Sequence, residues 1–180
     1  MNWMKKVAVA LVCLLPLGLQ AAKVDTLQVK SPSMNKSIEV VVVSPDVAAT
    51  KACPVIYLLH GYGGNARTWV GIKPDLPKIA DEKGIFFVCP DGKNTWYWDS
   101  PLNADVRYET FISNELVKYV DSHYKTVADR KGRAITGLSM GGHGAMWNGL
   151  RHSDVFSAAG STSAVSYTHL RAHETPEHLV

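Results

Sequence analysis

Gly137-Leu138-Ser139-Met140-Gly141-Gly142 constrains this chain more than any other stretch. Before it runs Arg133-Ala134-Ile135-Thr136, short, apolar and β-branched. After it runs His143-Gly144-Ala145-Met146-Trp147-Asn148-Gly149-Leu150, which can be helical. A strand, a tight Gly-x-Ser-x-Gly turn and a helix, in that order, form a nucleophile elbow. Gly137 and Gly141 carry no Cβ, so strand and helix can approach closely around a strained turn. The turn lifts the Ser139 hydroxyl above the sheet edge. The helix N-terminus aims backbone N–H groups and its positive dipole end at the same place, where an oxyanion could develop. A bare Gly-x-Ser-x-Gly is also a common glycine-rich turn, and it is the flanking strand and helix that favour the elbow.

The 180 residues suit one domain, and 46% hydrophobic with 19% charged residues is the balance of a chain that buries a core. The formal charge is +3, with no basic run and no aromatic-basic interleaving, which argues against nucleic acid as a partner. Lys5 and Lys6 precede an apolar run, Val7 to Leu19, and then Gln20-Ala21-Ala22. This reads as a secretory signal peptide over 1–22, and so as a secreted or periplasmic protein with no membrane attachment after cleavage. The apolar run is short for a membrane span, and an uncleaved N-terminal anchor is the alternative reading. Outside it only Cys53 and Cys89 remain. If their strands are parallel neighbours, the two lie at opposite ends, on the order of 15–20 Å apart at about 3.3 Å per residue. A disulfide needs Cα atoms within about 7 Å, so two free, mostly buried thiols are expected.

Thr26 to Lys30 and Ile38 to Ser44 read as the strands of an antiparallel entry hairpin. Pro54-Val55-Ile56-Tyr57-Leu58-Leu59 is a continuous apolar run, the pattern of a strand covered on both faces of a parallel sheet. It ends in His60-Gly61-Tyr62-Gly63-Gly64, a glycine-rich loop suited to an oxyanion amide; His60 is expected to hydrogen-bond locally. Leu76 to Gly84 reads as a helix with a glycine C-cap, and Ile85 to Pro90 as the next buried strand. The loop from Lys93 to Leu102 carries Trp96, Tyr97 and Trp98. These aromatics either line a substrate pocket at the sheet edge or pin the loop as a hydrophobic cluster, and the residues alone leave both readings open. Arg107 to Tyr124 is the clearest helix, with Tyr108, Phe111, Ile112, Glu115, Leu116, Tyr119 and Val120 at i, i+3, i+4 spacing. Ser157 to Ser163 has the small residues of a further buried strand.

From about Ile38 to Ala164 the chain resembles the esterase D family of α/β-hydrolases. That family includes S-formylglutathione hydrolases, tributyrin-type esterases, feruloyl esterases and mycolyltransferases. The matching residues are Tyr57-Leu58-Leu59-His60-Gly61, Pro90-Asp91-Gly92, Gly137 to Ala145, and Leu150 to Phe156. The resemblance implies an α/β-hydrolase fold, a mostly parallel sheet with helices on both faces. It implies Ser139 as nucleophile and the backbone N–H groups of Tyr62 and Met140 as the oxyanion hole. It also implies that the loop with Trp96, Trp98 and Asp99 walls the substrate pocket, with no metal and no cofactor. The implied function is a serine carboxylic-ester hydrolase acting on a small-molecule or glycan-linked ester. Two alternatives stand beside it: an acyltransferase of the mycolyltransferase type, and a non-catalytic carbohydrate-binding protein on an esterase scaffold.

A hydrolase triad of this kind runs Ser, then Asp or Glu, then His along the chain. After Ser139 the acids are Asp154, Glu174 and Glu177, and the histidines His143, His152, His169, His173 and His178. Asp154 comes too early, and His143, one turn past Ser139, is expected to pack in its helix. The resemblance places both partners after later strands that this chain does not contain. The stretch from Ser166 to Val180 has no strand or helix period and resembles the translation of a sequencing adapter. The expected organisation is a partial hydrolase domain over 23–165, incomplete at the C-terminus, then a non-native tail over 166–180 outside any triad, and a chain so truncated is expected to be inactive or nearly so.

Overall fold

The structure is a computed structural model that describes residues 22–163. Residues 1–21, the residues from 164 onward and the candidates Glu174, Glu177, His169, His173 and His178 lie outside the described residues. The hairpin β1 (Lys23–Ser31) and β2 (Lys36–Ser44) leads to β3 (Val55–Leu59). Helices α1 (Thr68–Ile72) and α2 (Leu76–Lys83) follow, then β4 (Phe86–Pro90). One continuous helix covers 108–123, made of α3 (Tyr108–Thr110), a π-helical segment (Phe111–Leu116) and α4 (Val117–His123). Strand β5 (Arg133–Gly137), helix α5 (Met140–Arg151) and the short β6 (Ala158–Ala159) complete the described chain.

The sheet order is β1-β2-β4-β3-β5-β6. β1–β2 and β2–β4 pair antiparallel, while β3–β4, β3–β5 and β5–β6 pair parallel. This is the mixed, mostly parallel sheet of an α/β-hydrolase. The chain leaves β3 for β4 on one side and then crosses to β5 on the other, so the strand order reverses at β3. A crevice opens at the carboxyl ends of strands where this happens. Leu59 at the end of β3 is in register with Gly137 at the end of β5, so the two loops that follow start side by side.

The apolar runs are continuous because both faces of the sheet are covered. Val40 and Val42 of β2, Phe86 and Val88 of β4, and Val55, Tyr57 and Leu59 of β3 face one core with Phe111, Ile112, Leu116 and Val120 of the long helix. Val41 and Val43, Phe87 and Cys89, and Leu58 face the other core with Leu76 and Ala80 of α2. Helix α2 ends at Gly84, whose φ of 62° is the left-handed cap expected there. Cys53 and Cys89 are both buried and free, and burial pushes both thiols up.

Three features differ from the reading of the sequence. The short helix α1 was not anticipated. The 108–123 helix widens into a π segment instead of keeping an even α period. Here the Ser113 hydroxyl donates to the Glu109 carbonyl at 2.7 Å, competing for the acceptor that the regular ladder would use. Ala158 and Ala159 are exposed, not buried, because among the described residues β6 is the sheet's edge and no element covers its far side.

Candidate active site

The site is built where β3, β4 and β5 end. Ser139 stands between β5 and α5 with φ 55° and ψ −115°, a region that L side chains rarely occupy. The glycines around it leave no room for another residue. A Cβ on Gly137 would stand 2.2 Å from the Gly141 carbonyl oxygen, and one on Gly141 would stand 2.2 Å from that of Leu59. The Leu138 amide donates to Leu59 at 3.1 Å and the Ser139 amide to Thr162 at 3.0 Å, so the turn is clamped from both sides. Ser139 is half-buried, and its hydroxyl has no hydrogen-bond partner among the described residues.

The loop after β3 lies against this serine. A Cβ on Gly61 would be 3.5 Å from Ser139 Cβ and 3.3 Å from the Leu138 oxygen. The next residue, Tyr62, is 67% exposed. Neither the Tyr62 amide nor the Met140 amide at the start of α5 has a partner among the described residues. Asn94 Oδ1 accepts the Gly63 amide at 2.8 Å and ties the loop after β4 to the loop after β3. Two unpartnered N–H groups and an unpartnered hydroxyl are thus carried on adjoining turns beside one helix N-terminus.

His60 is almost fully buried and bonded locally, as expected. The Gly92 amide donates to its Nε2 at 2.9 Å, and its Nδ1 lies 2.7 Å from the Gly61 carbonyl oxygen. Asp91 sits beside it. Burial works to raise the Asp91 carboxyl, but the bonds from the Lys93 ammonium and amide hold it well below the usual carboxylate range.

The loop after β4 is pinned by its middle aromatic. Tyr97 is fully buried and pins the loop: its hydroxyl donates to the His60 carbonyl at 3.1 Å, and Asn148 Nδ2 donates to its carbonyl at 3.0 Å. Its ring fills the space over two glycines, since a Cβ would meet it at 2.0 Å from Gly92 and at 2.5 Å from Gly144. Trp96 and Tyr97 hold φ of 59° and 60°, and this reversal sends their side chains apart. Trp96 meets the His143 ring edge-on at 5.4 Å, and Trp98 stays 45% exposed with its ring 6.4 Å from Trp147. Asp99 is engaged inside the protein, where Oδ1 accepts the Thr110 amide at 3.0 Å and Oδ2 the Thr110 hydroxyl at 2.6 Å.

Among the described histidines, His60 is already committed, and His152 and His123 belong to other parts of the fold. His143 packs in its helix, between Trp96 and a stacked Trp147, as expected. His152 closes α5, on the order of 18 Å from the elbow at about 1.5 Å per residue. There its Nε2 donates to Glu109 at 2.9 Å. His123 stacks on Tyr119 at the end of α4. Asp154 follows α5 at the same remote end as His152.

Glu109 is a residue that the sequence did not single out. Its carboxylate accepts from Trp147 Nε1 at 2.7 Å, Arg151 Nε at 2.8 Å and His152. Burial would raise it, but the bonds from Arg151, Trp147 and His152 outweigh that and hold it below its ordinary value. The network fastens the long helix to the far half of α5, and the Arg151 guanidinium covers the Trp147 ring at 4.9 Å. No local signal exposed it, because its partners come from 38 to 43 residues away.

Among the described residues no group of three or more His, Cys, Asp or Glu could hold a metal ion, and no helix is long and apolar enough to cross a membrane. A depression of about 400 Å³ beside the loop after β3 is lined by Glu39, Asn65, Arg67, Asp91 and Lys93, not by Ser139.

With this geometry in place, comparison with known proteins is informative. The family model Esterase, described as Putative esterase, matches residues 31–174. Esterase Rv1288 of Mycobacterium tuberculosis (strain ATCC 25618 / H37Rv) is 29% identical over 143 residues, covering 76% of this chain and 30% of the relative. The acetyl esterase of Caldicellulosiruptor saccharolyticus is 32% identical over 102 residues, 56% of this chain and 37% of the relative. A solved ferulic acid esterase superposes with a TM-score of 0.66 at 32% identity, covering 77% of this chain and 61% of that one. The chain therefore spans 30% and 37% of the length of the two curated relatives.

Proposed function

The chain belongs to the esterase family of that model, and on this premise we propose that it is a serine carboxylic-ester hydrolase with Ser139 as nucleophile. The observation that carries this reading is the strained, unpartnered Ser139 beside the unpartnered Tyr62 and Met140 amides. In the reaction, Ser139 Oγ attacks the ester carbonyl as its proton passes to a base, and the Tyr62 and Met140 N–H groups take up the negative charge on oxygen. The tetrahedral intermediate collapses to an acyl-serine and releases the alcohol. Water then attacks the acyl-serine and returns the free hydroxyl. His60 cannot be the base, because its Nε2 already accepts the Gly92 amide, and His152 and His123 lie remote from the elbow. The base and its orienting carboxylate come from outside residues 22–163.

Trp96 and Trp98 offer flat apolar area next to the elbow, on a loop that Asp99 ties to Thr110. This supports an ester with an aromatic or short acyl group, on a small molecule or linked to a glycan, and the likeness to an acetyl esterase and a ferulic acid esterase agrees with it. Export to the periplasm or exterior belongs to the same reading, supported by Lys5, Lys6 and the apolar run after them. The test is a fluorophosphonate probe followed by peptide mapping, on a version of the chain extended to carry the base and its carboxylate, with hydrolysis of p-nitrophenyl acetate and methyl ferulate alongside. The expected result is probe on Ser139 and none on Ser139→Ala. Failure of both labelling and hydrolysis would overturn the assignment.

A further inference from the structure

The Gly61–Tyr62 peptide joins a carbonyl and an amide that lie in one plane and point opposite ways. A trans peptide is planar, so whatever fixes the direction of the Gly61 carbonyl also fixes the direction of the Tyr62 N–H. That carbonyl has two partners, His60 Nδ1 at 2.7 Å and the Gly64 amide at 3.0 Å. The Tyr62 amide itself has none among the described residues.

His60 can make its bond in one protonation state only. The Gly92 amide donates to Nε2, so Nε2 keeps its lone pair, and a neutral imidazole then carries its single proton on Nδ1. Nδ1–H is thereby a donor to Gly61. The ring is 1% exposed and is held on every side. Tyr97 meets it edge-on at 5.7 Å and also donates to the His60 carbonyl. Asp91 Oδ1 is 3.5 Å from Nε2, too far to displace the Gly92 amide. A Cβ on Gly64 would stand 2.8 Å from Nδ1, so only glycine leaves the ring its place.

We propose that His60 is a positioning residue: its Nδ1–H tautomer, set by the Gly92 amide, holds the Gly61 peptide so that the Tyr62 N–H faces the space beside Ser139. The inference rests on the oxyanion role proposed above for Tyr62. His60 touches neither substrate nor nucleophile, and it acts through one rigid peptide plane. An oxyanion amide stabilises charge that develops only in the transition state, so disturbing it lowers kcat and leaves KM in place.

Two near-isosteric variants separate this role from simple space-filling. His60→Asn keeps a donor where Nδ1 lies and loses the acceptor for Gly92. His60→Gln reaches Gly92 with its carbonyl and loses the donor to Gly61. In the extended version that carries the base, with p-nitrophenyl acetate, His60→Gln is expected to lower kcat by about 10-fold or more at unchanged KM, and His60→Asn to stay near the parent. Equal losses in both, in step with lost thermal stability, would overturn the proposal. ¹⁵N NMR of the full 180-residue chain gives a readout that needs no turnover. His60 must show a protonated Nδ1 and a lone-pair Nε2 at neutral pH, and the reverse tautomer or a doubly protonated ring would overturn the proposal. A chain that neither labels nor hydrolyses would count against the esterase reading alone. The role of His60 is then decided by its tautomer and by the Tyr62 amide resonance, which must move in His60→Gln and stay in His60→Asn.

Discussion

Two loops at the same sheet edge hold non-glycine residues at positive φ, and they use that strain in opposite ways. At the elbow, Ser139 is bent to φ 55° and its hydroxyl ends without a partner among the described residues. In the loop after β4, Trp96 and Tyr97 are bent to 59° and 60°, and Tyr97 ends fully buried with hydrogen bonds at both ends. The first loop holds a reactive group ready, and the surrounding glycines make room for it. The second anchors the wall of the site, and its strain is offset by the burial of an aromatic ring. A left-handed residue thus marks the proposed nucleophile at Ser139 and a packing anchor at Tyr97, and only the partners of each side chain tell them apart.

The contrast can be broken most forcefully at Ser139. In a version extended to carry the base and its carboxylate, Ser139→Ala should lower ester hydrolysis by about 10⁴-fold or more, with stability to denaturant within about 0.5 kcal/mol of the parent. Activity that persisted would remove the functional half of the comparison. Tyr97→Ala should do the reverse, lowering unfolding stability by about 3–5 kcal/mol as a buried ring is lost. A urea titration that found less than about 1 kcal/mol would show that Tyr97 is no anchor. Gly141→Ala tests the clamp between the loops: its Cβ would meet backbone at Leu59, and a loss of about 3 kcal/mol is expected in the same titration.

Glu109→Gln sharpens the role of the support behind the site. At pH 7 it should be less stable by about 2 kcal/mol through weakened bonds to Arg151, Trp147 and His152. The Glu109 carboxyl is held below its ordinary value, so its contribution is fully present above the unfolded value, about 4.3. It is lost as pH falls through the lower folded value. Parent and variant should therefore converge in stability below about pH 4.3, which denaturation at stepped pH will read. The smallest effect is the most specific: Ser139→Gly should raise stability by about 1 kcal/mol by relieving strain, whereas Tyr97→Gly should lower it.

The fold was legible wherever residue type dictates local geometry. β-Branched and apolar runs specified β2 to β5, Gly84 closed α2, and the glycines of Gly137–Gly141 marked the elbow, because each of these rests on neighbours in the chain. The family resemblance rested on the same stretches. The separation of Cys53 from Cys89 also followed, since parallel neighbours carry their ends in a fixed sense. The tertiary structure alone decided that Tyr97 pins the loop after β4, because its burial depends on glycines of two other segments. It alone placed Gly61 against Ser139 and joined Glu109 to the far end of α5. It alone gave His60 a tautomer, since that proton is assigned by an amide 32 residues away. Periodicity and turn chemistry act over a few residues, whereas a site is a set of distances between residues that the chain has kept far apart.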